Sequence, residues 1–162
     1  MTTSREGVPS PIPSTSWRSG ILLGIALGGF LDGILLHQII HWHNMGSAVV
    51  PPTTVATLKQ NMAWDGVFHL VVWTCTLIGV YWLHADARRA APLPGPSRFT
   101  GLLLLGWGLF NLVEGLIDHH LLGLHHVRDL PHHVPAYDWL FLLVGGVGFI
   151  VLGRFIYRRP EY

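Results

Sequence analysis

Two stretches of the chain carry residues able to do chemistry. Asp32-Gly33-Ile34-Leu35-Leu36-His37-Gln38-Ile39-Ile40-His41-Trp42-His43 sets one carboxylate and three imidazoles in an apolar run. Eighty-two positions later the chain reads Glu114-Gly115-Leu116-Ile117-Asp118-His119-His120-Leu121-Leu122-Gly123-Leu124-His125. Asp32/Glu114, Gly33/Gly115, His37/His119 and His43/His125 therefore superpose without a gap, as do Gly24 and Gly106 upstream. Neutral imidazole suits zinc, copper or iron, and carboxylate with histidine inside a helix bundle is a ligand set of dinuclear metal sites. The repeated acid-Gly-x3-His-x5-His unit thus points to one transition-metal site or two.

Helix geometry restricts how such a site can be built. At about 100° per residue, an acid and a histidine five positions apart are turned by about 140° and do not share a face. A π-bulge near Gly33 and Gly115 would bring them into line. Alternatively, His37 with His41 (i, i+4) and His119 with His126 (i, i+7) supply the ligand faces, and Asp32 and Glu114 orient the imidazoles from behind. In a third arrangement the two acids form a proton path beneath the metal. Asp65 and His69, also i, i+4, need no adjustment.

The elements that must position these residues are membrane helices. Of 162 residues, 50% are apolar and 12% charged, and the mean hydropathy is +0.43, which takes the chain out of the soluble class. Four apolar spans, 17–40, 62–83, 100–124 and 137–157, each approach the roughly 20 residues that cross about 30 Å of hydrocarbon. Spans of this length exclude barrel strands, so the expected fold is an all-α, four-helix transmembrane bundle. An ionisable group near the bilayer centre costs about 2.5 to 3.5 kcal/mol, so Asp32 and Glu114 must face inward. The net charge of +1, with no basic block, gives no support to nucleic-acid binding. The single Cys75 excludes an internal disulfide and a thiolate cage.

Residues 1–16 are rich in Ser, Thr and Pro and read as a flexible tail; 17–157 form one domain and 158–162 a short C-terminal tail. Arg5, Arg18, Arg88, Arg89, Arg98, Arg154, Arg158 and Arg159 flank the termini side, against Lys59 and Arg128 in the other two loops. The positive-inside rule then places both termini in the cytoplasm. Ten of eleven histidines, all but His84, fall in the outer half: His37, His41, His43, His69, His119, His120, His125, His126, His132 and His133.

The repeat includes the second helix of each pair. Ala63-Trp64-Asp65-x-x-Phe68 matches Ala136-Tyr137-Asp138-x-x-Phe141, at an offset of seventy-three. The unit is a helical hairpin, about 17–84 and 99–157, duplicated in parallel about an axis along the membrane normal. Asp65 and Asp138 compete between site membership and helix N-capping, and His132 and His133 with a solvated-loop role. Trp42, Trp64, Tyr137 and Trp139 read as interfacial belt residues.

Gly29-Phe30-Leu31-Asp32-Gly33 with His37-Gln38 and Trp42-His43, then Phe110-Asn111 with Glu114-Gly115, His119 and His125-His126, resemble a family of bacterial four-helix integral membrane proteins classed as a domain of unknown function. The resemblance covers nearly all of 17–157 and implies a multi-pass protein of the bacterial inner membrane, without carrying an activity. A looser likeness to membrane histidine-box oxygenases and desaturases rests on His37-x3-His41 and the His-His pairs. It departs in the outward-facing boxes and in the Asp/Glu-Gly element.

The expected protein is a membrane-embedded metalloprotein doing redox or oxygen chemistry on a small molecule. Its ligands come from His37, His41, His43, His69, His119, His120, His125 and His126, with Asp32 and Glu114 catalytic and Asp65 and Asp138 in support. Copper, iron and zinc are not distinguished. Copper or zinc handling is one alternative, and a b-type cytochrome with axial His37 and His119 another. Gly20, Gly24, Gly28 and Gly29 on the first helix, and Gly145, Gly146 and Gly148 on the fourth, permit close helix packing within the chain, in a homo-oligomer or in a larger membrane complex.

Overall fold

A computed structural model describes residues 16–89 and 93–160. The expected N-terminal tail, apart from Ser16, and the last two residues of the C-terminal tail lie outside the described residues. The chain is all-helical, with no strand among the described residues. Among these residues four rods are long and apolar enough to cross a membrane. They are α1 (Ser16–Leu31, continuing as a π-helix over Asp32–Ile39), α2 (Val55–Arg88), α3 (Pro96–Glu114, continuing as a π-helix over Gly115–Leu121) and α4 (Pro135–Leu140, a π-helix over Phe141–Gly148, then Phe149–Tyr157).

The polarity is inverted relative to a soluble domain. Among the described residues five apolar side chains are buried against fourteen polar or charged ones, while Leu, Ile, Val and Trp residues populate the exposed faces. Lipid rather than water therefore solvates the outside, and the interior is held by hydrogen bonds and close backbone contact. The central pair is α1 and α3, with α2 packed along α1 and α4 along α3. Gly24 and Gly106 set the central distance: a Cβ on Gly24 would fall on the Leu103 carbonyl, and one on Gly106 on the Ile21 carbonyl. Each helix thus meets backbone of the other where its glycine lies.

Helix α2 begins at Val55, seven residues before its expected start. Lys59, Gln60 and Asn61 dilute the apolar pattern there, but Thr54 and Thr57 close a reciprocal capping box that fixes the helix start. Asp65 consequently lies well inside α2, so the N-cap reading fails for it. Helix α4 starts at Pro135 with Val134 at its N-cap position, so Asp138 is not a cap either.

Both central helices end in the same turn. Ile40 and Leu122 donate to Leu35 and Ile117, and Trp42 and Leu124 to Leu36 and Asp118. The residue between is left-handed in each: His41 at φ 52° and Gly123 at φ 57°. A side chain in that region costs about 1 to 2 kcal/mol that glycine avoids. His41→Gly is therefore expected to raise stability by about 1 kcal/mol, read as a higher midpoint of denaturant unfolding in detergent.

Candidate metal centre

The π-helical turns settle the i+5 problem. His37 Nε2 lies 3.1 Å from Asp32 Oδ2, and His119 Nε2 lies 2.9 Å from Glu114 Oε1. A π-helix widens each turn, so residues five apart stack along its axis. Gly33 makes room for α2, since a Cβ there would meet the His69 ring; one on Gly115 would meet Leu142 and Phe141.

A second carboxylate stands behind each of these histidines, hydrogen-bonded to His37 but not to His119. His37 Nδ1 donates to Asp65 Oδ1 at 2.9 Å, and His119 Nδ1 lies 3.5 Å from Asp138 Oδ1. Those carboxylates are fixed in turn by backbone amides, Met45 N donating to Asp65 Oδ1 and Val127 N to Asp138 Oδ1, each at 2.8 Å. Asn44 Nδ2 donates to Asp65 Oδ2 at 2.7 Å.

The two loops after the π-helices bring in the second pair. His43 Nδ1 donates to the Val127 carbonyl at 2.9 Å, and His125 Nδ1 to the Met45 carbonyl at 3.2 Å. Each loop thus holds the other's histidine at the position eighty-two residues removed. Further crossed bonds lock the loops together: Ala48 N to Leu124 O, Asp129 N and Leu130 N to Trp42 O, and the Ser47 hydroxyl to Asp129 Oδ2 at 2.6 Å. Trp42 stacks on Tyr137 over this closure, with ring centroids 5.5 Å apart.

A donated Nδ1 proton leaves the lone pair of a neutral ring on Nε2. His43 Nε2 faces Asp32 Oδ1 at 3.7 Å, while His125 Nε2 shares a proton with Glu114 Oε1 in a 2.8 Å hydrogen bond. Four imidazoles therefore present Nε2 to two carboxylates, with ring centroids of 4.5 Å for His37–His43 and His43–His125 and 5.0 Å for His119–His125. The Nε2 atoms of His37, His43 and His119 and the Oε2 of Glu114 are buried without an aligned hydrogen bond. Burial holds the His43 pKa below its ordinary value. For His125 burial acts the same way, but the Glu114 hydrogen bond and charge outweigh it and raise the pKa.

Among the described residues two buried groups of three have ligand atoms close enough to share a metal: His37, His43 and His125, and Glu114, His119 and His125. A third, His126, His133 and Asp138, is at the surface. There His126 Nδ1 and His133 Nε2 both contact Asp138 Oδ2, at 3.0 and 2.9 Å, with the rings stacked at 3.8 Å.

Three expected ligands fall outside these groups. His41 is exposed, because the helix ends at Ile40 and the left-handed turn breaks the i, i+4 relation to His37. The ring of His69 is tied to the Asp65 carbonyl at 2.8 Å. His120 is exposed and donates to the Gly115 carbonyl, an acceptor within the π-helix. Sequence reasoning left His133 open between the site and a solvated loop and gave no role to Asn44, Ser47, Met45, Val127 or Asp129. The same offset of eighty-two that pairs His43 with His125 also pairs Met45 with Val127 and Ser47 with Asp129, and so could have found them.

Fold and site together define a membrane protein of four apolar helices around buried His/Asp/Glu clusters able to hold a metal. Residues 19–160 match the family described as "Predicted membrane protein (DUF2243)", and the chain belongs to that family. Neither the curated proteins nor the solved structures contain a match to it.

Proposed function

We propose that the protein is a metal-dependent membrane oxidoreductase, with one or two transition-metal ions held by His37, His43, His119 and His125 between Asp32 and Glu114. The observation that carries this reading is the convergence of four Nε2 atoms on two buried carboxylates, three of them on rings whose Nδ1 is hydrogen-bonded to an outer acceptor. Imidazole nitrogens and carboxylate oxygens this close in a desolvated cluster must either share a proton or be neighbouring ligands of one cation, and we assign the cation. All four carboxyl groups, Asp32, Asp65, Glu114 and Asp138, are buried, and two divalent ions would balance their charge in the fully ionised form. Asp65 and the two loop carbonyls are outer partners of the kind that fix tautomer and ring direction in metal-bound histidines, and Asp138 stands 3.5 Å behind His119.

A bound copper or iron ion would supply electron exchange with a small apolar substrate or dioxygen. Asp32 and Glu114 would accept and release the protons that such chemistry moves, being the only carboxylates among the described residues that touch two of the four rings each. Haem has less support, because imidazoles in mutual contact leave no planar slot for a macrocycle. The domain 17–157, made of duplicated hairpins, is placed in a bacterial inner membrane with the termini cytoplasmic and the centre facing outward; the excess of arginine beside the termini supports that orientation.

Metal handling is the second reading, and the surface group favours it. His133 is 39% exposed, and Asp138 connects it to His119 of the buried cluster. In either reading His126, His133 and Asp138 serve as a loading station. His133→Ala is expected to slow uptake of Co(II) by chelator-stripped protein about tenfold while leaving the final metal ratio unchanged, followed by the cobalt d–d absorption. An unchanged rate would remove the station from the account.

A further inference from the structure

Two cavities flank the buried cluster. The larger, about 330 Å³, is lined by Phe68, Phe110, Val113 and Ile117, with Glu114 and Asp118. The smaller, about 250 Å³, is lined by Leu31, Leu35, Leu36 and Phe141, with Asp32. Leu31/Val113, Asp32/Glu114, Leu35/Ile117 and Leu36/Asp118 each stand eighty-two positions apart, so the cavities occupy equivalent places in the two halves. One pair differs in kind: Asp118 stands where the other half has leucine.

That acid has no structural employment. Its carboxylate makes no hydrogen bond among the described residues, although it lies half-buried in the span Pro96–Leu121. Beside it Glu114 is 7% exposed, and its Oε2 is buried without a partner. The wall is otherwise apolar and aromatic, the Phe68 and Phe110 rings lying 6.2 Å apart. Val113 and Ile117 are 48% and 41% exposed on the lipid-facing surface, so the cavity opens sideways into the bilayer. Acyl chains could fill such a space but cannot satisfy carboxylates; a flat apolar body bearing a hydroxyl donor does both.

We infer that the larger cavity binds a lipid-dissolved phenol or hydroquinone, its ring against Phe68 and Phe110 and its hydroxyl donating to Asp118. As the substrate class of the proposed centre the inference rests on that reading, whereas the binding itself needs only the cavity and its acids.

The test is binding of duroquinol, kept reduced under anaerobic conditions, to the full chain in nanodiscs, with empty nanodiscs as blank. The comparison ligand is its dimethyl ether, which has the same ring and no donor. Intact protein should bind duroquinol at least about tenfold tighter than the ether, the order expected for a hydrogen bond to a charged acceptor. Asp118→Leu, which copies the smaller cavity, should erase that preference while ether binding persists. Val113→Trp should fill the space and weaken both ligands. Equal binding of the two compounds, a preference that survives Asp118→Leu, or no binding above the blank would overturn the inference. Repeating the measurement on chelator-treated protein separates the outcomes: a preference retained there stands even where elemental analysis finds no metal.

Discussion

Replacing His37 and His119 together by glutamine is expected to abolish metal binding, taking the metal-to-protein ratio from one or two to below about one tenth. These two rings stand between an inner and an outer carboxylate, Asp32 and Asp65 for His37 and Glu114 and Asp138 for His119. Glutamine keeps an amide that can donate to Asp65 or Asp138 but presents no imidazole lone pair to the centre. The loss would therefore be of ligation rather than of fold, and helical circular dichroism should be unchanged. Asp65→Asn provides the graded comparison: an orienting partner lost from behind a ligand costs about 10- to 100-fold in affinity. A double variant that keeps its full metal content would place the metal elsewhere.

The largest structural effect is expected at the contact between the central helices. Gly24→Leu or Gly106→Leu would drive a side chain into the carbonyl of Leu103 or Ile21, and backbone cannot step aside by changing rotamer. Overpacking of a side-chain core costs about 1 to 3 kcal/mol, and a backbone clash lies at or above the top of that range. The expected result is loss of folded, monodisperse protein in detergent. Gly66→Leu is the matched control, because a Cβ at Gly66 has nothing within 4 Å. Equal stability of Gly24→Leu and Gly66→Leu would mean that α1 and α3 do not meet as described.

Much of this arrangement was legible in the residues, for identifiable reasons. Buried carboxylates five positions before histidines conflict with a regular helix, and that conflict itself points to the π-helical turns over Asp32–Ile39 and Gly115–Leu121. The matched spacing of His43 and His125 places them in one cluster although both lie in loops beyond the helix ends. His41 misleads because the i, i+4 rule presumes a helix that has already stopped at Ile40. His69 misleads because a histidine four residues after an acid can serve the backbone of that acid instead of its carboxylate. Crossed bonds such as His43 to Val127 and His125 to Met45 involve carbonyl acceptors, which carry no residue-type signal. Helix periodicity cannot report them.

The central claim is that imidazole nitrogen and carboxylate oxygen coordinate a metal in the membrane interior. X-ray absorption at the edge of whatever metal co-purifies from metal-replete growth tests it most directly. A first shell of nitrogen and oxygen only, with the outer-shell scattering of three or four imidazole rings, is the predicted spectrum. Folded protein that carries no metal, or an ion whose first shell lacks imidazole, would contradict it.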